Sequence, residues 1–248
     1  MILSLIGLIA TVYQGGAQTE AAPPVTKPGA LIGLAFKKYH DAQSLAGTIR
    51  LTQTAQSVTI VVDTQVAYDR PSKLLIRQQK GGSQPQNILS VSDGRYFWYD
   101  KPAGVYGPPR LQEPVSQHQT TQTLDQMYSA ASRGLADRSA VLDIVFARNE
   151  DLKEVKSHWT NLHFNGTAQI RSREVQLIEG DYCAIPGEEP NGAFQLSITN
   201  TGDLMRYIVK ERYAVPGQES QTVEVTSTWD ANLKVGGFND PAIYAVRR

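Results

Sequence analysis

Val58-Thr59-Ile60-Val61-Val62-Asp63-Thr64-Gln65-Val66-Ala67-Tyr68 is the stretch on which the fold turns. Val58, Ile60, Val62, Thr64, Val66 and Tyr68 share one parity, and Thr59, Val61, Asp63, Gln65 and Ala67 share the other. Successive side chains of a strand point to opposite faces, so this period of two predicts a long strand buried on one side. Upstream, from Gly47, Ile49 and Leu51 alternate in the same way with Thr48, Arg50 and Thr52. Downstream, Asp69-Arg70-Pro71-Ser72 interrupts the run, because proline has no N–H to give to a ladder. Lys73 to Gln78 resumes as a strand and ends at the Gly81-Gly82-Ser83 loop.

Further outward, Asn87 to Ser92 and Arg95 to Tyr99 flank Asp93-Gly94. That dipeptide between strand-like runs predicts a tight hairpin whose two central residues both take positive φ. Its second arm, Tyr96-Phe97-Trp98-Tyr99, supplies aromatic cross-strand pairs. Strand patterns return late in the chain, at Ala168 and Ile170, at Val175 and Leu177, and at Phe194, Leu196 and Ile198. Asn200-Thr201-Gly202-Asp203 reads as a turn, Leu204 to Tyr213 as the next strand, and Val223, Val225 and Trp229 close the series.

Between the two blocks the period changes. Residues 101–120 are rich in Pro, Gly and Gln and read as irregular. Thr123 and Gln126 fit a capping box, with Leu124, Met127, Tyr128 and Ala131 on one helical stripe over 123–133. A second helix, capped by Asp137 or Ser139, carries Val141, Leu142, Val145 and Phe146. An earlier helix spans residues 30–42, with Leu31, Ile32, Leu34, Ala35, Phe36 and Tyr39 on a broad apolar face. Helices inserted between strand blocks cover a sheet. Short turns between consecutive strands make neighbours antiparallel, and a twisted sheet of about ten strands curls. The expected class is mainly β with helices (α+β): a half-open, strongly curved antiparallel β-barrel of about ten to eleven strands with covering helices.

Composition narrows the function. Lys plus Arg and Asp plus Glu each number 24, so the formal net charge is zero and no field favours nucleic acid. The single cysteine, Cys183, excludes an internal disulfide and reads as a buried small apolar residue. His158 and His163 stand five apart, off the spacing of a helical zinc pair, so no metal and no cofactor is expected. Nucleotide-binding loops, a nucleophile elbow and a zinc-protease motif are missing from the sequence. Carboxylates are dispersed, and a catalytic pair from distant strands is not visible in sequence.

The run Met1 to Val12 has the length of a signal-peptide core, with Gly15-Gly16-Ala17 as a plausible cleavage point, although no Lys or Arg precedes it. Residues 1–17 are therefore expected to be a signal peptide, 18–29 a flexible linker, and 30–248 a single domain. A curved sheet under helices either fills its interior with its own side chains or leaves an apolar cavity for acyl chains. Val58, Ile60, Val62, Leu74, Ile76, Phe97, Phe194, Leu196 and Ile198 are the candidates for the inner, ligand-facing surface.

The ordered set of elements resembles the LolA/LolB-like superfamily of periplasmic lipoprotein-localisation factors. The N-terminal helix leads into the strand from Gly47. Arg70-Pro71-Ser72-Lys73-Leu74 resembles the family's Arg-Pro element, and Val91-Ser92-Asp93-Gly94 with Tyr96-Phe97-Trp98-Tyr99-Asp100 resembles its hairpin and aromatic arm. The resemblance covers residues 30–240, while Gln112 to Glu150 and Asn232 to Arg248 depart from the carriers. It implies a lid contact for Arg70 and a soluble, exported monomer, periplasmic or extracellular, that binds a lipid or lipoprotein acyl chain without catalysis. An envelope regulator with a membrane-protein partner is the alternative implied by relatives of this fold. A secreted hydrolase on a β scaffold is the third reading, which His, Asp or Glu gathered in the cavity would favour.

Overall fold

A computed structural model describes residues 27–82, 85–137 with gaps at 101–109 and 115–122, 140–146, 151–215 and 217–245. The signal peptide expected over 1–17 and nearly all of the expected linker lie outside these residues.

The first element, α1 (Pro28–Asp41), begins two residues before the helix read from the sequence. Pro28 suits that position, because the first helical N–H has no partner within the helix. Strands β1 (Ser44–Ala55), β2 (Val58–Asp69), β3 (Lys73–Lys80), β4 (Gln86–Asp93) and β5 (Tyr96–Asp100) then follow as a meander. A short β6 (Arg110–Pro114) pairs with β5, so part of the segment read as irregular is a strand. Helices α2 (Leu124–Ser132), α3 (Ala140–Phe146) and α4 (Asp151–Ser157) come next, α4 having no counterpart in the sequence reading. A second meander, β7 (Trp159–Ile170), β8 (Arg173–Tyr182), β9 (Gly192–Ile198), β10 (Leu204–Val215) and β11 (Gln218–Val235), completes the sheet, and a 3₁₀ turn spans Pro241–Tyr244.

All pairings are antiparallel, in the order β6-β5-β4-β3-β2-β1-β11-β10-β9-β8-β7. The first strand thus pairs with the last at the centre of the sheet, and the two outer strands, β6 and β7, flank the helical segment in sequence. The chain between them must cross from one edge to the other, which lays α2 to α4 over the concave side. Gly47 sits at the central seam opposite Leu233. A Cβ there would stand 2.1 Å from the Asn232 carbonyl oxygen, so the seam closes only around glycine.

The Asp93-Gly94 turn differs from the expected two-residue form. Only Gly94 takes positive φ, at 93°. The Asp93 carboxylate accepts from the N–H groups of Arg95 and Tyr96, at 2.7 and 2.8 Å, which stabilises a longer turn that leaves Ser92 opposite Phe97.

The concave side carries the main core. Leu31, Ile32, Ala35, Phe36 and Tyr39 of α1 and Val141, Leu142, Ile144, Val145 and Phe146 of α3 join the inward side chains of both meanders in one cluster. On the convex side Ala67, Leu75 and Val91 pack beneath Tyr244. Asp203, in the β9–β10 turn, fastens α1 to the sheet: it accepts from Lys38 and Arg173 and from the Thr201 hydroxyl. Beside it the Tyr39 hydroxyl accepts from the Leu204 N–H at 2.9 Å. Although burial pushes the Asp203 carboxyl up, Lys38, Arg173 and Thr201 hold it below the ordinary carboxylate range. Among the described residues, no helix is long and apolar enough to cross a membrane.

Candidate functional site

A cleft of about 470 Å³ lies between the helical cover and the strands of the second meander. Ligand pockets commonly hold about 300–1,000 Å³. Each wall follows from local sequence.

Helix α2 starts at Thr123, whose hydroxyl accepts from Gln126 N–H while the Gln126 side chain accepts from the Thr123 N–H, the capping box expected from the sequence. Its apolar stripe, Leu124, Met127, Tyr128 and Ala131, is buried, which turns Asp125, Ser129 and Ser132 toward the cleft. The link from α2 to α3 is tied to the sheet by Gln78 of β3. The Gln78 Nε2 donates to Thr64 Oγ1 and to the Asp137 carbonyl, and Oε1 accepts from the N–H groups of Ala136 and Asp137. Gln78 is wholly buried, so those bonds offset the loss of its water.

The floor is aromatic. Trp159, Tyr207 and Trp229 stand on β7, β10 and β11. The Trp159 ring meets Tyr207 edge-on at 5.8 Å and stacks on Phe194 at 5.1 Å, and Tyr207 stacks on Trp229 at 5.3 Å. Trp159 Nε1–H donates to the Tyr207 hydroxyl at 2.9 Å, and Trp229 Nε1–H donates to Asp137 Oδ2 at 3.2 Å. Both indole N–H groups are thus used inside the protein; Trp159 and Tyr207 are buried, and Trp229 is half-buried at the cleft. On the opposite wall Tyr128 stacks on Phe146 at 4.9 Å and donates to Asp143 Oδ1 at 2.6 Å.

His158 closes one end. Its Nδ1 lies 2.7 Å from the Cys183 carbonyl oxygen and its ring stacks on Tyr182 at 5.6 Å. A carbonyl can only accept, so Nδ1 carries the hydrogen and Nε2 is the nitrogen left available. Burial, followed by the Glu211 charge, pushes the Tyr182 phenol up to about 12, and burial pushes Tyr207 higher still. Both phenols therefore stay neutral at physiological pH.

The inner-face residues read from the sequence lie elsewhere. Val62, Leu74, Ile76, Phe97, Phe194, Leu196 and Ile198 are all buried. Ile60 is half-buried, and Val58, at the open end of β2, is 60% exposed. None of the nine lines the cleft. Phe194 backs it from behind Trp159. Arg70 donates from Nε to the Ala42 carbonyl and from its terminal nitrogen to the His40 carbonyl, so it grips the end of α1. Among the described residues its hydrogen bonds do not reach α2 to α4.

The lining residues were only faintly legible beforehand. Tyr207, Val209 and Glu211 alternate on one face of β10, and a carboxylate on an otherwise apolar face was the readable signal. The stack of Trp159 on strands from distant parts of the chain had none. Cys183 is buried, as expected. Among the described residues no group of three or more His, Cys, Asp or Glu is placed to hold a metal ion.

No family model and no curated protein matches the chain. Its fold is similar to that of the Mycobacterium tuberculosis lipoprotein LppX, 13% identical over 82% of this chain and 94% of that one, with a TM-score of 0.38. It is similar to the LolA superfamily protein NE2245 from Nitrosomonas europaea, 10% identical over 90% and 99%, with a TM-score of 0.31. It is also similar to a chain of the Pseudomonas aeruginosa MucA/MucB complex, 12% identical with a TM-score of 0.40, covering 88% of this chain and 61% of that one. At such identities the likeness is one of fold.

Proposed function

We propose that this chain is a non-catalytic, extracytoplasmic binding protein that shelters the apolar part of a lipid, a lipoprotein acyl chain or a comparable amphiphile in the aromatic cleft. The observation that carries this reading is the unfilled space of about 470 Å³, floored by Trp159, Tyr207 and Trp229, in a concave face otherwise packed by its own helices. Each methylene moved from water into such a space contributes about 0.8 kcal/mol, so an ordinary acyl chain has ample driving force. The expected inner-face residues act here as rigid backing: Phe194 supports the floor, while Leu74, Ile76 and Phe97 hold the sheet under the cover.

Native mass spectrometry of the purified full chain is expected to reveal a bound acyl species. The delipidated protein is expected to take up a fluorescent fatty-acyl probe. A chain that carries no lipid and refuses the probe defeats the reading.

One observation favours a hydrolase as the second reading, since His158 shares the cleft with Ser129, Glu154 and Glu211. A nucleophile needs a base within hydrogen-bond reach, and among the described residues no hydrogen bond joins His158 to Ser129. Ester hydrolysis that disappears in His158→Ala would establish that reading in place of the first.

A further inference from the structure

The cleft combines two chemistries that together select a head group. Tyr182, Tyr207 and Trp229 give it aromatic surface, and its charged side chains among the described residues are Asp125, Asp143, Glu154 and Glu211, with no Lys or Arg. Asp143 accepts from the Tyr128 hydroxyl. Glu154 on α4 and Glu211 on β10 make no ion pair with a described residue. Glu211 accepts from the Tyr213 hydroxyl at 2.5 Å, a neutral donor that leaves the carboxylate its full charge.

An anionic head group brought into this space meets like charge from the exposed Glu154 and the half-buried Glu211. A cation meets attraction from both sources. Carboxylates draw it by charge, and ring faces draw it through their negative quadrupole. Both indole N–H groups are committed within the protein, so neither tryptophan donates a hydrogen bond to a guest. A quaternary ammonium fits that surface well: it has no N–H to satisfy, and its charge is spread over methyl groups that pack on aromatic faces.

We infer that the guest is a cationic amphiphile, with its apolar chain along the aromatic floor and its ammonium group between Glu154, Glu211 and the half-buried rings of Tyr182 and Trp229. This deepens the binding-protein reading above and rests on it. The inference separates this cleft from a site for fatty acids or other anionic lipids.

The test uses the full chain and three probes of one tail length, each below its micelle concentration: dodecyltrimethylammonium, dodecyl sulfate and dodecyl maltoside. Binding is read by calorimetry and by tryptophan fluorescence, and near-ultraviolet circular dichroism checks that the protein stays folded. The ammonium probe is expected to bind at least tenfold more tightly than the maltoside, with dodecyl sulfate the weakest. Glu154→Gln with Glu211→Gln is expected to lower the ammonium affinity to that of the maltoside, with the maltoside affinity unchanged. If the sulfate binds as well as the ammonium, or if the double variant keeps its ammonium affinity, the inference is overturned. If all three probes bind alike, the binding-protein reading stands and the head-group assignment falls. If none binds, both fall.

Discussion

The inward face of β1 to β5 and that of β7 to β11 lie under one helical cover and end differently. On the first, Leu45, Ile49, Val66, Tyr68, Leu74, Ile76 and Phe97 are buried against α1 to α3, and the seam is closed. On the second, Trp159, Tyr207 and Val209 are buried in the same cluster but line a cleft on one side, where Glu211 and Trp229 are half-buried. Branched aliphatic chains interdigitate with helical ones and fill volume to crystal-like density. Flat rings stacked on one another, with a carboxylate in their row, do not, because the carboxylate must keep water or a partner. The difference between a core and a cleft thus follows from side-chain shape and charge on otherwise similar strands.

The strongest way to break this comparison is to remove equal chemistry from each side. Val66→Ala is expected to cost about 2–3 kcal/mol in urea unfolding, since it opens a void in a packed region. Val209→Ala is expected to cost about 1 kcal/mol, since its side chain already borders the cleft. Equal losses would mean that the two faces are packed alike.

Next comes the tie between cover and sheet. Gln78→Leu keeps the volume but strips partners from Ala136 N–H, Asp137 N–H and Thr64. A loss of about 2–3 kcal/mol is expected, with faster hydrogen exchange confined to residues 135–137. Unchanged exchange there would show that the cover is held by apolar contact alone.

The smallest effect concerns α1. Asp203 has its carboxyl held below the ordinary range, so its contribution is fully present above the unfolded value of about 4 and fades as pH falls through the folded value. Asp203→Asn is expected to cost about 1–2 kcal/mol at neutral pH and to flatten the loss of stability on acidification below about pH 4. A variant with the same acid slope as the parent would place the acid sensitivity elsewhere.

Much of the fold was legible because it is written in local patterns. The alternation from Val58 to Tyr68 marks β2, Thr123 with Gln126 marks the start of α2, and Pro71 marks the break between β2 and β3. Misreadings fell where local signals conflict. Asp93-Gly94 suits a two-residue turn, but the Asp93 carboxylate bonds two later N–H groups and favours a longer one. Arg110 to Pro114 carries no alternation of its own and is a strand only because β5 offers it an edge. The cleft was the least legible part. Its floor joins Trp159, Tyr207 and Trp229, residues up to 70 positions apart that strand order brings side by side.

The amino-acid order alone determined most of the strands and the helices α1 to α3, that the sheet would be antiparallel and bent, and that its helices would cover it. Those properties depend on periodicity and on short turns, which act between near neighbours in the chain. Tertiary structure decided where the covered face fills and where it stays open. That outcome depends on which strands become neighbours, on the pairing of β1 with β11, and on how α2 to α4 cross from edge to edge, contacts made over distances at which sequence periodicity carries no information.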